Sequence, residues 1–298
     1  QEKVEAGIFP IIGHRDDGSI IEGEMTEERK FIPGSQWDLP SHNATYQGSQ
    51  LLNKIIGESR FSFPKSLYAV HDTIRFFVAD KPNATIVDFF SGSGTTQHAV
   101  NLLNAEDGGH RRCIMVTNNE ISAEEEKRLT KEGYKKGDDE WEALGIAKYV
   151  TWPRTVCSIE GHDINGNPLK GDYLAKDTDG NPIPMSKGFN ANVKYFKCGW
   201  TPRKPEHYLL SNALCLHIKE MIELQNAIEV DNVKNVLLLN KNDFKNIILN
   251  PDIYDKIENV WVNQNIILNS EELKLLKAKG FKYIPREFFG QELREAAE

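Results

Sequence analysis

Apolar positions along the chain change their period several times, and the changes mark out elements. Leu67, Val70, Ile74 and Phe77 recur at helical spacing and predict an amphipathic helix over residues 66–79. Lys81-Pro82-Asn83 breaks it, and the β-branched run Thr85-Ile86-Val87 predicts a short buried strand ending at Asp88. Ser91-Gly92-Ser93-Gly94 must then turn tightly, and residues 95–103 read as the next helix. Gly108-Gly109 marks a loop, and Cys113-Ile114-Met115-Val116 predicts a second strand that ends near Glu120. Strand, glycine turn, helix, strand is the opening of a doubly wound sheet.

Elsewhere the pattern is weaker. Residues 1–60 scatter Gly, Asp, Asn and Pro between short apolar pieces and read as irregular. Residues 122–136 predict a charged helix with a solvated face. Asn165-Gly166 and Asp179-Gly180 predict hairpins between residues 161 and 188. Beyond Pro205 the α/β pattern resumes, with a helix marked by Leu210, Leu214, Ile218 and Ile222. Strands follow at 236–239 and 260–262, then a short helix at 270–278. The expected organisation is therefore an irregular segment (1–60), a partial α/β core (61–155), a hairpin region (156–205) and a C-terminal α/β segment (206–298).

With 39% hydrophobic and 27% charged residues, the composition is that of a soluble globular chain rather than a disordered one. No apolar run approaches the roughly 20 residues that cross a bilayer, and no basic-then-apolar leader is visible, so a cytoplasmic location without membrane contact is expected. The first residue is Gln1 rather than Met, so the chain is expected to be part of a longer protein. The four cysteines lie far apart, and the eight histidines form no HxH or HxxxH pair, so no metal site is expected. A net charge of −8 has the wrong sign for holding DNA by bulk electrostatics; a nucleic-acid role would need a local basic surface or another segment.

The segment Asp88-Phe89-Phe90-Ser91-Gly92-Ser93-Gly94-Thr95-Thr96 carries the most chemical information. Ligands of open α/β sheets bind at the carboxyl ends of the strands, where this turn sits. A phosphate-binding loop would need Gly-Lys-Ser/Thr after its last glycine, but Thr95-Thr96 follow. A dinucleotide turn wants a third small residue where Gln97 stands. Asp88 would repel a pyrophosphate and suits a cationic amino group, and Glu120 suits two ribose hydroxyls. S-adenosyl-L-methionine satisfies both better than NAD; the alternative is a turn that merely joins strand to helix.

Phe90-Ser91-Gly92-Ser93-Gly94-Thr95-Thr96 resembles the FxGSGTT motif of amino-methylating DNA methyltransferases. Phe63-Pro64-Lys65 resembles the element that precedes it in those enzymes, with Ser66 in place of a second proline. Asn104, Asp107-Gly108-Gly109, Arg111 and Glu120 resemble the version in modification subunits of type III restriction systems and stand-alone adenine-methylating relatives. The closing residues Ile284-Pro285-Arg286-Glu287-Phe288-Phe289 and Glu292-Leu293-Arg294-Glu295 are similar to the end of those chains, so the likeness runs from about Trp37 onward.

The resemblance implies a Rossmann-like S-adenosylmethionine-dependent methyltransferase sheet with a hairpin insertion and a smaller C-terminal α/β segment. It implies that Asp88 meets the methionine ammonium and that Phe90, Gly92 and Gly94 line the pocket. Thr95, Thr96 and Lys65 contact the methionine end, and Glu120 holds the ribose. It also implies an adenine flipped out of the duplex and an attack by its amino nitrogen on the sulfonium methyl. The chain departs from the family at one point. The D/N-P-P-Y/F/W tetrapeptide that positions the amino group is missing, because no Pro-Pro occurs anywhere in the chain. Asn250-Pro251-Asp252-Ile253-Tyr254 has the wrong spacing to replace it. No catalytic residue is therefore assigned, and the chain by itself is expected not to methylate DNA.

The expected role is the cofactor-binding part of an adenine-N6 DNA methyltransferase of a restriction–modification system. That enzyme would bind double-stranded DNA through the full-length protein, with a restriction subunit or a homodimer left open. The alternatives are a cytosine-N4 enzyme, or a module that binds cofactor or partner without chemistry. Residues 186–205 interleave Lys187, Lys194, Lys197, Arg203 and Lys204 with Phe189, Tyr195, Phe196 and Trp200 and hold no acid. That suits DNA contact; the alternative is a half-buried strand with a solvated charged face.

Overall fold

The computed structural model describes residues 36–198 and 215–289, with the backbone of two short paired strands, β1 (Ile11–His14) and β2 (Ile20–Glu22). Trp200, Arg203, Lys204, Leu210, Leu214 and residues 292–295 lie outside the described residues. Two compact units divide at Val193/Lys194, so the first three expected segments fall largely in one unit.

In the first unit, residues expected to be irregular form helix. A wide helical turn at Thr45–Gln50 runs into α1 (Leu51–Ile56), whose Leu52, Ile55 and Ile56 are wholly buried. Helix α2 (Leu67–Val78) starts where the periodicity placed it, and Ser66 caps it by accepting from the Ala69 N–H at 3.4 Å. Strand β3 (Thr85–Asp88), α3 (Thr95–Asp107) and β4 (Arg112–Met115) then make the expected strand–helix–strand unit. The strands are parallel, with Ile86 opposite Cys113 and Asp88 opposite Met115.

The charged helix is α4 (Ala123–Glu132), entered through a Ser122/Glu125 capping box. A short α5 (Asp139–Ala143) leads to α6 (Trp152–Glu160), an element the sequence analysis did not assign, with Pro153 in its first turn. Proline is at home in a first helical turn, where its absent N–H has no partner to lose. An antiparallel pair, β5 (Asp172–Lys176) and β6 (Pro182–Pro184), supplies the hairpin. One apolar cluster joins these parts: Leu52 and Ile55 of α1, Leu67 of α2, Leu102 of α3, Val150 and Cys157 around α6, and Tyr173 and Ile183 of the hairpin.

The methyltransferase-like sheet is smaller than expected. Among the described residues β3 pairs with β4 alone, a two-stranded parallel sheet. The expected buried strand is open: Val87 is 48% exposed, at the wall of an open cleft.

The second unit is also α/β. Strands β7 (Asn235–Leu238), β8 (Asn259–Val262) and β9 (Gly280–Tyr283) form a parallel sheet in that order, with Val236, Leu238, Val260 and Val262 fully buried. Helices α7 (Ile218–Asn226) and α8 (Ser270–Lys277) belong to this unit. Asn250 caps the short helix Pro251–Tyr254 by accepting from the Asp252 N–H at 3.1 Å, a local structural job for the tetrapeptide lookalike. Among the described residues no helix is long and apolar enough to cross a membrane.

Candidate functional site

The glycine turn is held from both sides. The Val116 N–H donates to the Asp88 carbonyl at 2.7 Å and the Ser91 N–H to the Val116 carbonyl at 3.1 Å, which ties the turn to the end of β4. Asp88 spans it: Oδ1 accepts from the Phe90 N–H at 3.0 Å and Oδ2 from the Thr96 hydroxyl at 2.5 Å. Gly92 and Gly94 take left-handed φ values of 49° and 76°. A Cβ on Gly92 would stand 3.2 Å from Phe61 Cζ, and one on Gly94 would stand 3.1 Å from Thr151 Cγ2. The glycines thus serve the close fit of the turn between Phe61 and α6 as well as its curvature.

Beneath the turn lies a buried polar layer from α6. Arg154, fully buried, donates from Nη1 to the Ser93 carbonyl (3.3 Å), Ser93 Oγ (3.1 Å) and Thr95 Oγ1 (2.7 Å). Burial lowers its pKa to about 10, so the guanidinium stays charged at neutral pH. The Thr151 hydroxyl donates to the Gly92 carbonyl. His98 donates or accepts at Tyr173 Oη over 2.8 Å and is held neutral, its pKa pushed well down by burial and then by the charge of Arg154. Burial, and then the Asp88 carboxylate, push the neighbouring Cys113 thiol up to about 12, which leaves no thiolate for nucleophilic chemistry at neutral pH.

Above the turn, an open cleft of about 330 Å3 lies between Val70, Thr73 and Ile74 of α2 and Val87, Asp88, Phe89, Phe90 and Thr96. Phe90 is 89% exposed at its edge. The structure thus brings Asp88, Phe90 and Thr96 to one cleft. Gly92 and Gly94 form the turn behind it, and the Thr95 hydroxyl is turned inward to Ser93 and Arg154. Lys65 is exposed just before the α2 cap. β4 ends at Met115, well before Glu120. The exposed Glu120 carboxylate accepts from Asn118 Nδ2 at 3.1 Å, while its carbonyl accepts from the Ile146 N–H at 2.8 Å.

The basic segment is neither strand nor wholly free surface. Residues 189–198 form no helix or strand, and Phe189 is buried in the first unit's core rather than offered for stacking. Lys187 and Lys197 are exposed. Lys194 is paired with the buried carboxylate of Glu223, which also accepts from the Val230 N–H at 2.9 Å. Sequence reasoning missed Phe61, Thr151, Arg154 and Thr155; the signal was the polar stripe Thr151, Thr155 and Ser158 at helical spacing.

No family model matches the chain. It is 41% identical over 75 residues to the type II methyltransferase M.KpnI of Klebsiella pneumoniae, which covers 25% of this chain and 18% of that protein. It is 35% identical over 105 residues to the Mod subunit of the type III restriction-modification enzyme StyLTI of Salmonella typhimurium, 35% of this chain and 16% of the other. Against the EcoPI Mod subunit of Escherichia phage P1 the identity is 31% over 99 residues, 33% of this chain and 14% of that one. The matched stretch spans less than a fifth of the length of each of these proteins. Over that stretch the chain is a relative of the methyltransferases and modification subunits of restriction–modification systems.

Proposed function

We propose that the chain is the S-adenosylmethionine-binding part of a site-specific adenine-N6 DNA methyltransferase and does not methylate DNA by itself. The observation that carries this reading is the cleft at the carboxyl end of β3. There a carboxylate (Asp88), an exposed aromatic ring (Phe90) and a hydroxyl (Thr96) converge over a glycine turn. Its volume, about 330 Å3, lies at the small end of small-molecule sites. The donor set fits the cofactor: an acid for an ammonium, an aromatic face for an adenine, and an uncapped helix start.

The cofactor supplies an activated methyl group when bound. In this reading Asp88 takes the ammonium, and Phe90 covers the base. Gly92, Gly94, Thr95 and Thr96 shape the turn around the methionine end with Lys65, and Glu120 holds the ribose. These residues bind and orient; nothing in the sequence supplies the tetrapeptide that would position an adenine amino group. In this reading double-stranded DNA is bound by the full-length protein in the cytoplasm, and a restriction subunit or a homodimer stays open. The missing Pro-Pro keeps a second reading in play, a module that binds cofactor without chemistry in any context.

The test is titration of the chain with S-adenosylhomocysteine, with Asp88→Ala as control, alongside transfer of labelled methyl to duplex DNA. Saturable binding that Asp88→Ala weakens at least about tenfold supports the reading. Binding that ignores the substitution, or label transfer by the chain alone, overturns it. Recovery of transfer on adding the upstream half of the parent enzyme separates the methyltransferase from the inert module.

A further inference from the structure

One seven-residue pattern occurs twice in the hairpin region, as Asp163-Ile164-Asn165-Gly166-Asn167-Pro168-Leu169 and as Asp177-Thr178-Asp179-Gly180-Asn181-Pro182-Ile183. The two turns close alike. The Gly166 N–H donates to the Asp163 carbonyl and the Gly180 N–H to the Asp177 carbonyl, both at 2.9 Å. The Asp163 carboxylate accepts from the Asn165 and Asn167 N–H groups, both at 2.9 Å; Asp177 accepts from Asp179 at 3.0 Å and Asn181 at 2.8 Å. Gly166 and Gly180 take φ values of 81° and 79°, with nothing within 4 Å of either Cβ position. Before the glycine the chemistry differs: Asn165 stands where the second turn carries Asp179. Asn165-Gly166 is the one Asn-Gly pair in the sequence. The exposed Asn165 carboxamide makes no hydrogen bond among the described residues, whereas Asp163 holds that of Asn167 at 3.1 and 3.3 Å.

We propose that Asn165 is a site of self-modification, converting through a cyclic imide to aspartate and isoaspartate. The Gly166 nitrogen loses its proton to hydroxide and attacks Asn165 Cγ. The new N–Cγ bond forms, the Cγ–Nδ2 bond breaks, and the amide leaves as ammonia with a proton from water. Water then opens the imide. Attack at Cγ gives aspartate; attack at the Asn165 main-chain carbonyl gives isoaspartate. Net, one water is consumed and one ammonia released, with no oxidation. Glycine permits this because no side chain shields its nitrogen. The Gly166 N–H must first leave the Asp163 carbonyl, and that opening is a local event in an exposed turn. The two products act differently. Aspartate is what the second turn already holds with the same hydrogen bonds, so it keeps the fold. Isoaspartate lengthens the main chain by one carbon at the tip. That pulls on the Ile164 N–H, which donates to the Ile55 carbonyl at 2.9 Å and ties the hairpin to the end of α1 beside Gly57. The site lies apart from the cleft and does not depend on the cofactor reading.

The test ages the wild-type chain at mildly acidic and mildly alkaline pH and maps its peptides by mass spectrometry, with isoaspartate told from aspartate by fragmentation. The mass change of NH replaced by O should accumulate at Asn165, faster in alkali and ahead of every other asparagine. Conditions are set so that a synthetic peptide of residues 160–170 converts. If the folded chain stays intact there, the native turn protects Asn165 and the proposal falls. It falls equally if other asparagines react as fast, or if the signal persists in Asn165→Gln. Asn165→Asp should keep the wild-type melting temperature and the protection of the Ile164 amide from hydrogen exchange. The isoaspartate fraction of the aged chain should lose that protection, and its retention would overturn the link to α1.

Discussion

The Thr96 hydroxyl donates to Asp88 Oδ2 over 2.5 Å, joining the last residue of β3 to the first turn of α3. Hydrogen bonds to a charged acceptor contribute about 1.5–3 kcal/mol, less where water competes. Thr96→Val keeps the shape and deletes the donor, so it should cost about 1 kcal/mol in urea unfolding and free the carboxylate to swing. Thr96→Ser should restore the loss; unchanged midpoints for both variants would remove this bond from the account.

Gly94→Ala places a methyl 3.1 Å from Thr151 Cγ2 on a backbone with φ of 76°. The left-handed conformation costs a side chain about 1–2 kcal/mol, and the close contact adds to it. The melting temperature should fall by several degrees, whereas Gly166→Ala, in a turn with nothing within 4 Å of its Cβ, shows the backbone cost alone. Equal losses would mean that the contact with Thr151 is slack.

His71 ties α2 to α3 through the Asp72 and Glu106 carboxylates, each at 2.9 Å, and Asp72 also meets His42 at 2.8 Å. Burial works against the charged ring, but the hydrogen bonds and charges of Asp72 and Glu106 outweigh it, and the folded pKa is raised above 6.5. The stabilisation is therefore complete below about 6.5, the unfolded value, and lost as pH rises through the folded value. Urea midpoints measured from pH 5.5 to 8.5 should decline across that window in the wild type. The decline should be shallower in His71→Gln; parallel profiles would assign it to other groups.

Lys194 holds the Glu223 carboxylate, whose side chain is fully buried. Removing one partner of such a pair leaves a buried charge; because Lys194 is half exposed, the cost should be about 1–2 kcal/mol. Lys194→Ala should lower thermal stability and Lys197→Ala should not. If instead Lys194→Ala left stability intact and weakened DNA binding by the whole enzyme, the lysine would belong to the interface.

Where neighbours in sequence set the structure, the sequence was legible. Leu67, Val70 and Ile74 announced α2, and the spacing from Asp88 to Thr96 announced the strand–turn–helix that carries the cleft. The helix at 45–56 was not, because Gln47-Gly48-Ser49-Gln50 masks the apolar run behind it. The exposure of Val87 depends on what covers that face of the strand, which no local pattern records. Arg154 reaches its acceptor on Ser93 across 61 positions, so only the folded chain brings them together.

The parallel ladder gives Ala84 and Asp88 to β4 and turns Thr85, Val87 and Phe89 the other way, toward an unpaired edge among the described residues. With Phe89 67% and Phe90 89% exposed beside it, that edge is a surface on which identical chains can adhere. The guard against adhesion is mutual repulsion from a net charge of −8, which reaches only a Debye length. Added electrolyte should therefore let copies meet that dilute buffer keeps apart, which light scattering across a salt series would check.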